Sequence, residues 1–129
     1  RLNDIIIYLK TESEKPIKLL NEHKWAVCAL IINNKNDNLI SSSWDQSIKF
    51  WDLEKSCCLK TLKTDQNDIF LCLAINKNNQ LIAGSTKGYL NIWNLENFEC
   101  IKVVKAHDEK INALVFDNNG NLIDGCGDR

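Results

Sequence analysis

Short apolar runs separated by polar clusters recur along the whole chain. Ile5-Ile6-Ile7-Tyr8-Leu9, Ile17-Lys18-Leu19-Leu20, Ile48-Lys49-Phe50-Trp51, Cys58-Leu59-Lys60-Thr61-Leu62 and Cys100-Ile101-Lys102-Val103-Val104 are rich in β-branched and aromatic residues. A helix would need longer stretches with a 3.6-residue period, so these runs predict β-strands. Asparagine-rich clusters at 33–38, 76–79 and 118–121 lie between them. Asn and Gly tolerate left-handed backbone, so the clusters predict turns. The single proline, Pro16, opens a strand. An edge is where its missing N–H costs least.

The pattern repeats about every 42 residues. The segment from Leu39 to Asp52 matches that from Leu81 to Asn94 position by position, and Trp51 lies 42 residues before Trp93. Tyr8 lies 43 residues before Trp51, and His23 and His107 are 84 apart, two periods. His23 is followed by Val27, Leu30 and Ile32, and His107 at the same offsets by Ile111, Leu114 and Phe116. Asp65 takes the histidine's place in the middle copy, followed by Ile69, Cys72 and Ala74. Each unit therefore reads as four short strands. A fixed period of this length is the mark of stacked repeats that bury a core only against one another.

The residues Ser41-Ser42-Ser43-Trp44-Asp45-Gln46-Ser47-Ile48-Lys49-Phe50-Trp51-Asp52 resemble the second and third strands of the WD40 family. The likeness covers the whole length, although Glu22 stands where that family places glycine before its histidine. The resemblance implies an all-β fold, a β-propeller of about three WD40 blades with twelve antiparallel strands. Its divisions would be a half blade at 1–20, blades at 21–63 and 64–105, and a half blade at 106–129. It also implies a hydrogen-bonded tetrad of His23, Ser41, Asp45 and Trp51. Asp45 would accept from the imidazole, the imidazole would hold Ser41, and Ser41 would meet the indole N–H. In the middle unit Asp65, Ala83 and Lys87 replace His, Ser and Asp, so that blade should hold through strand pairing and apolar packing alone. The last unit has Asp124 at the serine place, beside His107 and Asp128; turn chemistry is the expected reason for both aspartates.

Propellers close with roughly 4–8 blades. Flanking chain would supply the rest here, and the absence of methionine favours that over a homodimer closing the ring between copies.

Charge and cysteine content narrow the function. Sixteen basic and seventeen acidic residues leave a net charge of -1, which predicts no strong attraction to nucleic acid or anionic membranes. The lysines are scattered among acidic residues, without the basic stripe and stacking aromatics of an RNA binder. No apolar run approaches the roughly 20 residues that span a bilayer. Six cysteines include no CxxC pair, and the two histidines are far apart. No metal site or cofactor is expected, and reduced thiols point to an intracellular protein of cytoplasm or nucleus.

Ser41, His23 and Asp45 also spell a hydrolase triad. Ser41 lacks a Gly-x-Ser-x-Gly elbow, and the tetrad explains all four residues without chemistry, so no catalytic residue is expected. The expected function is a non-catalytic scaffold mediating protein–protein contacts in a multiprotein assembly. The alternative is an RNP or ribosome-assembly propeller that contacts RNA–protein particles. Aromatic anchors favour binding surfaces, so Trp44, Trp25, Lys24 and Asp68 are the candidate partner contacts. Trp25 has a second reading, that it begins the inner strand and packs on a neighbouring blade.

Overall fold

The computed structural model describes residues 4–8, 16–63 and 67–127. These residues form twelve strands: β1 (Ile5–Tyr8), β2 (Pro16–Leu20), β3 (Val27–Asn33), β4 (Asn38–Ser43), β5 (Ser47–Asp52), β6 (Cys57–Lys63), β7 (Phe70–Ile75), β8 (Gln80–Ser85), β9 (Tyr89–Asn94), β10 (Cys100–Lys105), β11 (Ile111–Phe116) and β12 (Leu122–Cys126). All pairings are antiparallel. β3 to β6 form one four-stranded sheet in chain order and β7 to β10 another, with two-stranded pairs β1–β2 and β11–β12 on either side. Inner strand β3 lies against β7, and β7 against β11. The fold is all-β, two full propeller blades flanked by two half blades. No described helix is long and apolar enough to cross a membrane.

Three of the turns follow one design. Asn33, Asn76 and Asp117 each accept backbone N–H groups within their own turn. A left-handed residue precedes each returning strand: Asp37 at φ 59°, Asn79 at 58° and Gly120 at 84°. The asparagine clusters supply both features, since Asx side chains bond their own backbone and tolerate that conformation.

The core lies between sheets rather than within one. Ile40, Ile48 and Phe50 of the first full sheet pack with Phe70, Leu81 and Trp93 of the second. Ile5 and Leu20 of the first half blade pack with Leu39 and Trp51 in the same way. Phe98, in the β9–β10 turn, reaches back to Phe50 with ring centroids 4.9 Å apart. The central strands β4 and β8 are buried on both faces. That explains why Leu39-Ile40-Ser41-Ser42-Ser43 and Leu81-Ile82-Ala83-Gly84-Ser85 show no polar alternation.

Two glycines set how closely the elements approach. A Cβ at Gly84 would lie 2.7 Å from both Cys72 Sγ and Ile111 Cγ2, so only glycine lets β11 seat against the sheet. Gly88 has φ +87°, and its carbonyl accepts the N–H groups of Ala106 and His107. A Cβ there would meet the His107 carbonyl oxygen at 2.0 Å. Gly88→Ala therefore combines left-handed strain with a clash against backbone, which cannot rotate away. It should lower stability by about 2–4 kcal/mol, read as a shifted urea midpoint at constant slope.

Candidate functional site

His23 lies in the segment entering β3, Ser41 in the middle of β4, Asp45 in the β4–β5 turn and Trp51 in β5. The strand register brings them together. Ser41 Oγ is 2.6 Å from His23 Nε2, and Asp45 Oδ2 is 2.9 Å from His23 Nδ1. Trp51 Nε1 donates to Ser41 Oγ at 2.8 Å. One proton assignment satisfies all three. The indole donates to the hydroxyl, the hydroxyl to Nε2 of a neutral imidazole, and Nδ1–H to the carboxylate. The His23 ring also meets Trp51 edge-on.

The Asp45 carboxylate organises the turn as well. It accepts the backbone N–H of Lys24 at 3.0 Å, that of Ser47 at 3.0 Å and the Ser47 hydroxyl at 2.5 Å. Burial alone would raise its pKa, but the donors from Ser47, His23 and Lys24 outweigh burial and hold it at about 2. Burial pushes His23 below its ordinary 6.5, outweighing the pull of Asp45 toward the charged form. The imidazole is thus held neutral and the carboxylate charged.

The Ser–His–Asp order copies a hydrolase triad, but the surroundings do not. Ser41 is 0% exposed and His23 2%, and the serine oxygen already holds the indole proton. A substrate carbonyl has no approach to it. Among the described residues no three His, Cys, Asp or Glu side chains are grouped to hold a metal ion. All six cysteines are free. Burial pushes the Cys28 and Cys72 thiols up to about 11, so they are protonated and unreactive at neutral pH.

The other candidates divide. Trp25 and Trp44 are 62% and 53% exposed. Trp44 N–H donates to Ala26 O, and Ser43 Oγ to Trp25 O, so the two tryptophans sit at one strand end. Trp25 precedes β3 and is exposed rather than packed on a neighbouring blade. Lys24 is exposed beside them. Asp68 belongs elsewhere: it is 3% exposed and accepts Thr86 Oγ1 at 2.6 Å and the Ile69 N–H at 2.9 Å. Its carboxylate is a buried acceptor, not a rim charge beside the tryptophans.

That finding also corrects the picture of the middle blade, which does not rest on strand pairing and apolar packing alone. Asp65 lies outside the described residues. Asp68 and Thr86 tie the segment before β7 to the β8–β9 turn, at the positions that Trp25 and Trp44 hold in the preceding blade. In this register the histidine's place falls on Gln66, one residue after Asp65 and also outside the described residues. Asp124 needs a correction too. It lies in strand β12, not a turn, and its carboxylate faces His107 Nε2 with both oxygens at 3.0 Å. An acid at the serine place still gives the imidazole a partner. Asp128 lies outside the described residues. Sequence reasoning missed the Asp68–Thr86 bond because neither residue occupies a tetrad position; aligning the copies at the strand entrances, rather than on histidine, would have found it.

A segment that enters four-stranded sheets in tandem and is latched to each by buried polar groups defines a run of propeller blades. The WD domain, G-beta repeat family matches residues 14–52, 56–94 and 98–129. The chain belongs to this WD40 family, whose repeats build scaffolds for protein–protein interaction. It is also 38% identical over 47 residues to the Ubiquitin fusion degradation protein 3 homolog of Caenorhabditis elegans. That stretch is 36% of this chain and 5% of the relative.

The latch predicts an acid-sensitive stability. A depressed His23 pKa means the unfolded chain takes up the proton first, so this stability is complete above the unfolded value of 6.5 and lost as pH falls below it. The Asp45 contribution is complete above 3.8 and lost as pH falls toward about 2. The urea midpoint should therefore drop between about pH 7.5 and about pH 5, with a smaller drop in His23→Asn. At neutral pH, Asp45→Asn or His23→Ala should each cost about 1–3 kcal/mol; unchanged midpoints would show that the latch does not hold the blade.

Proposed function

We propose that this chain is part of a non-catalytic intracellular scaffold within a multiprotein assembly, and that it docks a partner through the rim carrying Trp25 and Trp44. The carrying observation is the exposure of two large indoles on a latched surface. Monomeric surfaces seldom expose neighbouring large aromatics without use, and tryptophan is enriched among residues that dominate binding energy. The repeat supports their adjacency. In the next blade the equivalent positions hold Asp68 and Thr86, whose side chains touch at 2.6 Å. The latch beneath Trp44 limits the ordering cost of binding, since Asp45 and Ser43 already fix the turn. Lys24 stands ready to meet an acidic group at the edge of the contact. Free cysteines at all six positions support the intracellular reading.

No observation favours the RNP alternative over this one. The relative's name refers to ubiquitin fusion degradation, and a match over 5% of its length carries the repeat rather than that pathway.

The test is co-purification of the full chain's partners with wild type and with Trp44→Ala and Trp25→Ala. Specific partners should be lost, by about tenfold or more in affinity, with the melting temperature within about 2 °C of wild type. Retained partners, or an unfolded Trp44→Ala protein, would sink the docking surface.

A further inference from the structure

A second rim lies at the other end of the strands. Val27 faces Ser43 at the tryptophan end of β3 and β4, while Asn33 faces Asn38 at the far end. The three Asx turns described above sit on this far rim, and they differ in what their side chains leave over. Asn76 commits its Nδ2 to Gln80 Oε1 at 2.7 Å. Asp117 accepts Asn121 Nδ2 at 3.0 Å. Asn33 uses Oδ1 for the Lys35 N–H at 3.1 Å, and its Nδ2 makes no hydrogen bond among the described residues. Yet Asn33 is only 5% exposed. The Nδ2 atom itself is not fully buried, so this free donor opens into the groove that Asn33 lines.

Asn33 lines a groove of about 620 Å³ between the β3–β4 and β7–β8 turns. Ile31, Ile32 and Ile75 supply its apolar wall, and Lys35 and Lys77 its charge. The remaining lining is asparagine, with no carboxylate. Lys35 has one exposed acidic neighbour, Glu96 at 3.9 Å, a pair that water screens heavily. Lys77 Nζ donates only weakly to the Asn118 carbonyl, at 3.4 Å. The groove thus offers cations, an unused amide donor and an apolar floor.

We propose that this groove binds an acidic peptide segment of a partner, its carboxylates facing Lys35 and Lys77 and an acceptor oxygen taking the Asn33 amide. Charge complementarity and the isoleucine wall together favour a peptide. RNA would share the charge, but no aromatic side chain lines the groove for a base to stack on. This surface is separate from the tryptophan rim and does not depend on docking there.

The test is fluorescence anisotropy of the full chain with a fluorescein-labelled peptide of glutamates interspersed with leucine. The same peptide with glutamine for glutamate, and labelled oligouridine, are the comparisons. Asn33→Asp keeps the turn acceptor, as Asp117 does in the equivalent turn, but removes the donor and adds a negative charge. The double variant Lys35→Gln, Lys77→Gln removes the cations from exposed positions. Each should weaken the acidic peptide about tenfold with an unchanged urea midpoint, and the glutamine peptide should bind about tenfold more weakly than the acidic one. Equal affinity for the two peptides overturns the proposal, as does indifference to the lysine variant, or tighter binding of oligouridine that the same variants abolish. Should Asn33→Asp shift the unfolding midpoint, the lysine variant decides alone.

Discussion

Sheet-on-sheet burial is the constraint from which the other features follow. Neither full sheet encloses its own apolar surface. Ile40 and Ile48 are 0% exposed only because Phe70 and Trp93 of the next sheet lie over them. Each such side chain contributes about 1.5–3 kcal/mol when removed from water, and that contribution exists only while the neighbour is present. Stacking on this scale makes an uncompensated polar group costly, and Ser42 Oγ, fully buried beside Ser41, is one that the blade carries. His23 and Ser41 lie within the same stack with partners for their polar atoms, and burial keeps the imidazole neutral. Gly84 lies within it as well, and its missing side chain is the space that Ile111 occupies.

The covalent chain reinforces the stacking. The family repeat at 14–52 covers β2 to β5, and that at 56–94 covers β6 to β9. Each repeat therefore joins the outer strand of one sheet to the three inner strands of the next. The segment between outer and inner strand is where His23 sits. Fixing it to Ser41 and Asp45 sets the offset between two sheets, not merely a turn within one. A latch there is better placed to resist sheets sliding apart than any bond inside a sheet.

The strands and turns were legible because their signals are local. Apolar runs, Asx residues before turns and the 42-residue period need no knowledge of distant contacts. The tetrad was legible only through family resemblance, because no local rule links His23 to Trp51 across 28 positions of chain. What escaped was substitution between equivalent places. Asp68 reads from sequence as a rim charge, yet its carboxylate is buried against Thr86, and Asp124 reads as a turn residue although it stands opposite Leu114 in a strand pair. Both errors come from judging an aspartate by its usual company. A buried carboxylate is tolerated where hydrogen-bond donors meet it, and only the fold shows which surroundings it has. Asn33 was legible as a turn former, but nothing in its neighbours shows that its amide would be left unpaired.

The exchange between blades also accounts for the tryptophans. In the β7–β10 blade, the two positions at the strand end are Asp68 and Thr86, and they do the holding. In the β3–β6 blade, His23 and Asp45 do the holding from nearby positions, so the latch does not need the side chains of the equivalent pair. Trp25 and Trp44 occupy those released positions. They gain little for the fold, since more than half of each indole remains in water, and exposed apolar area of that size favours association. A repeat fold can move its latch by a few residues in one copy and keep its geometry. The positions set free, on a surface already made rigid, are where side chains can be chosen for a partner instead of for the blade.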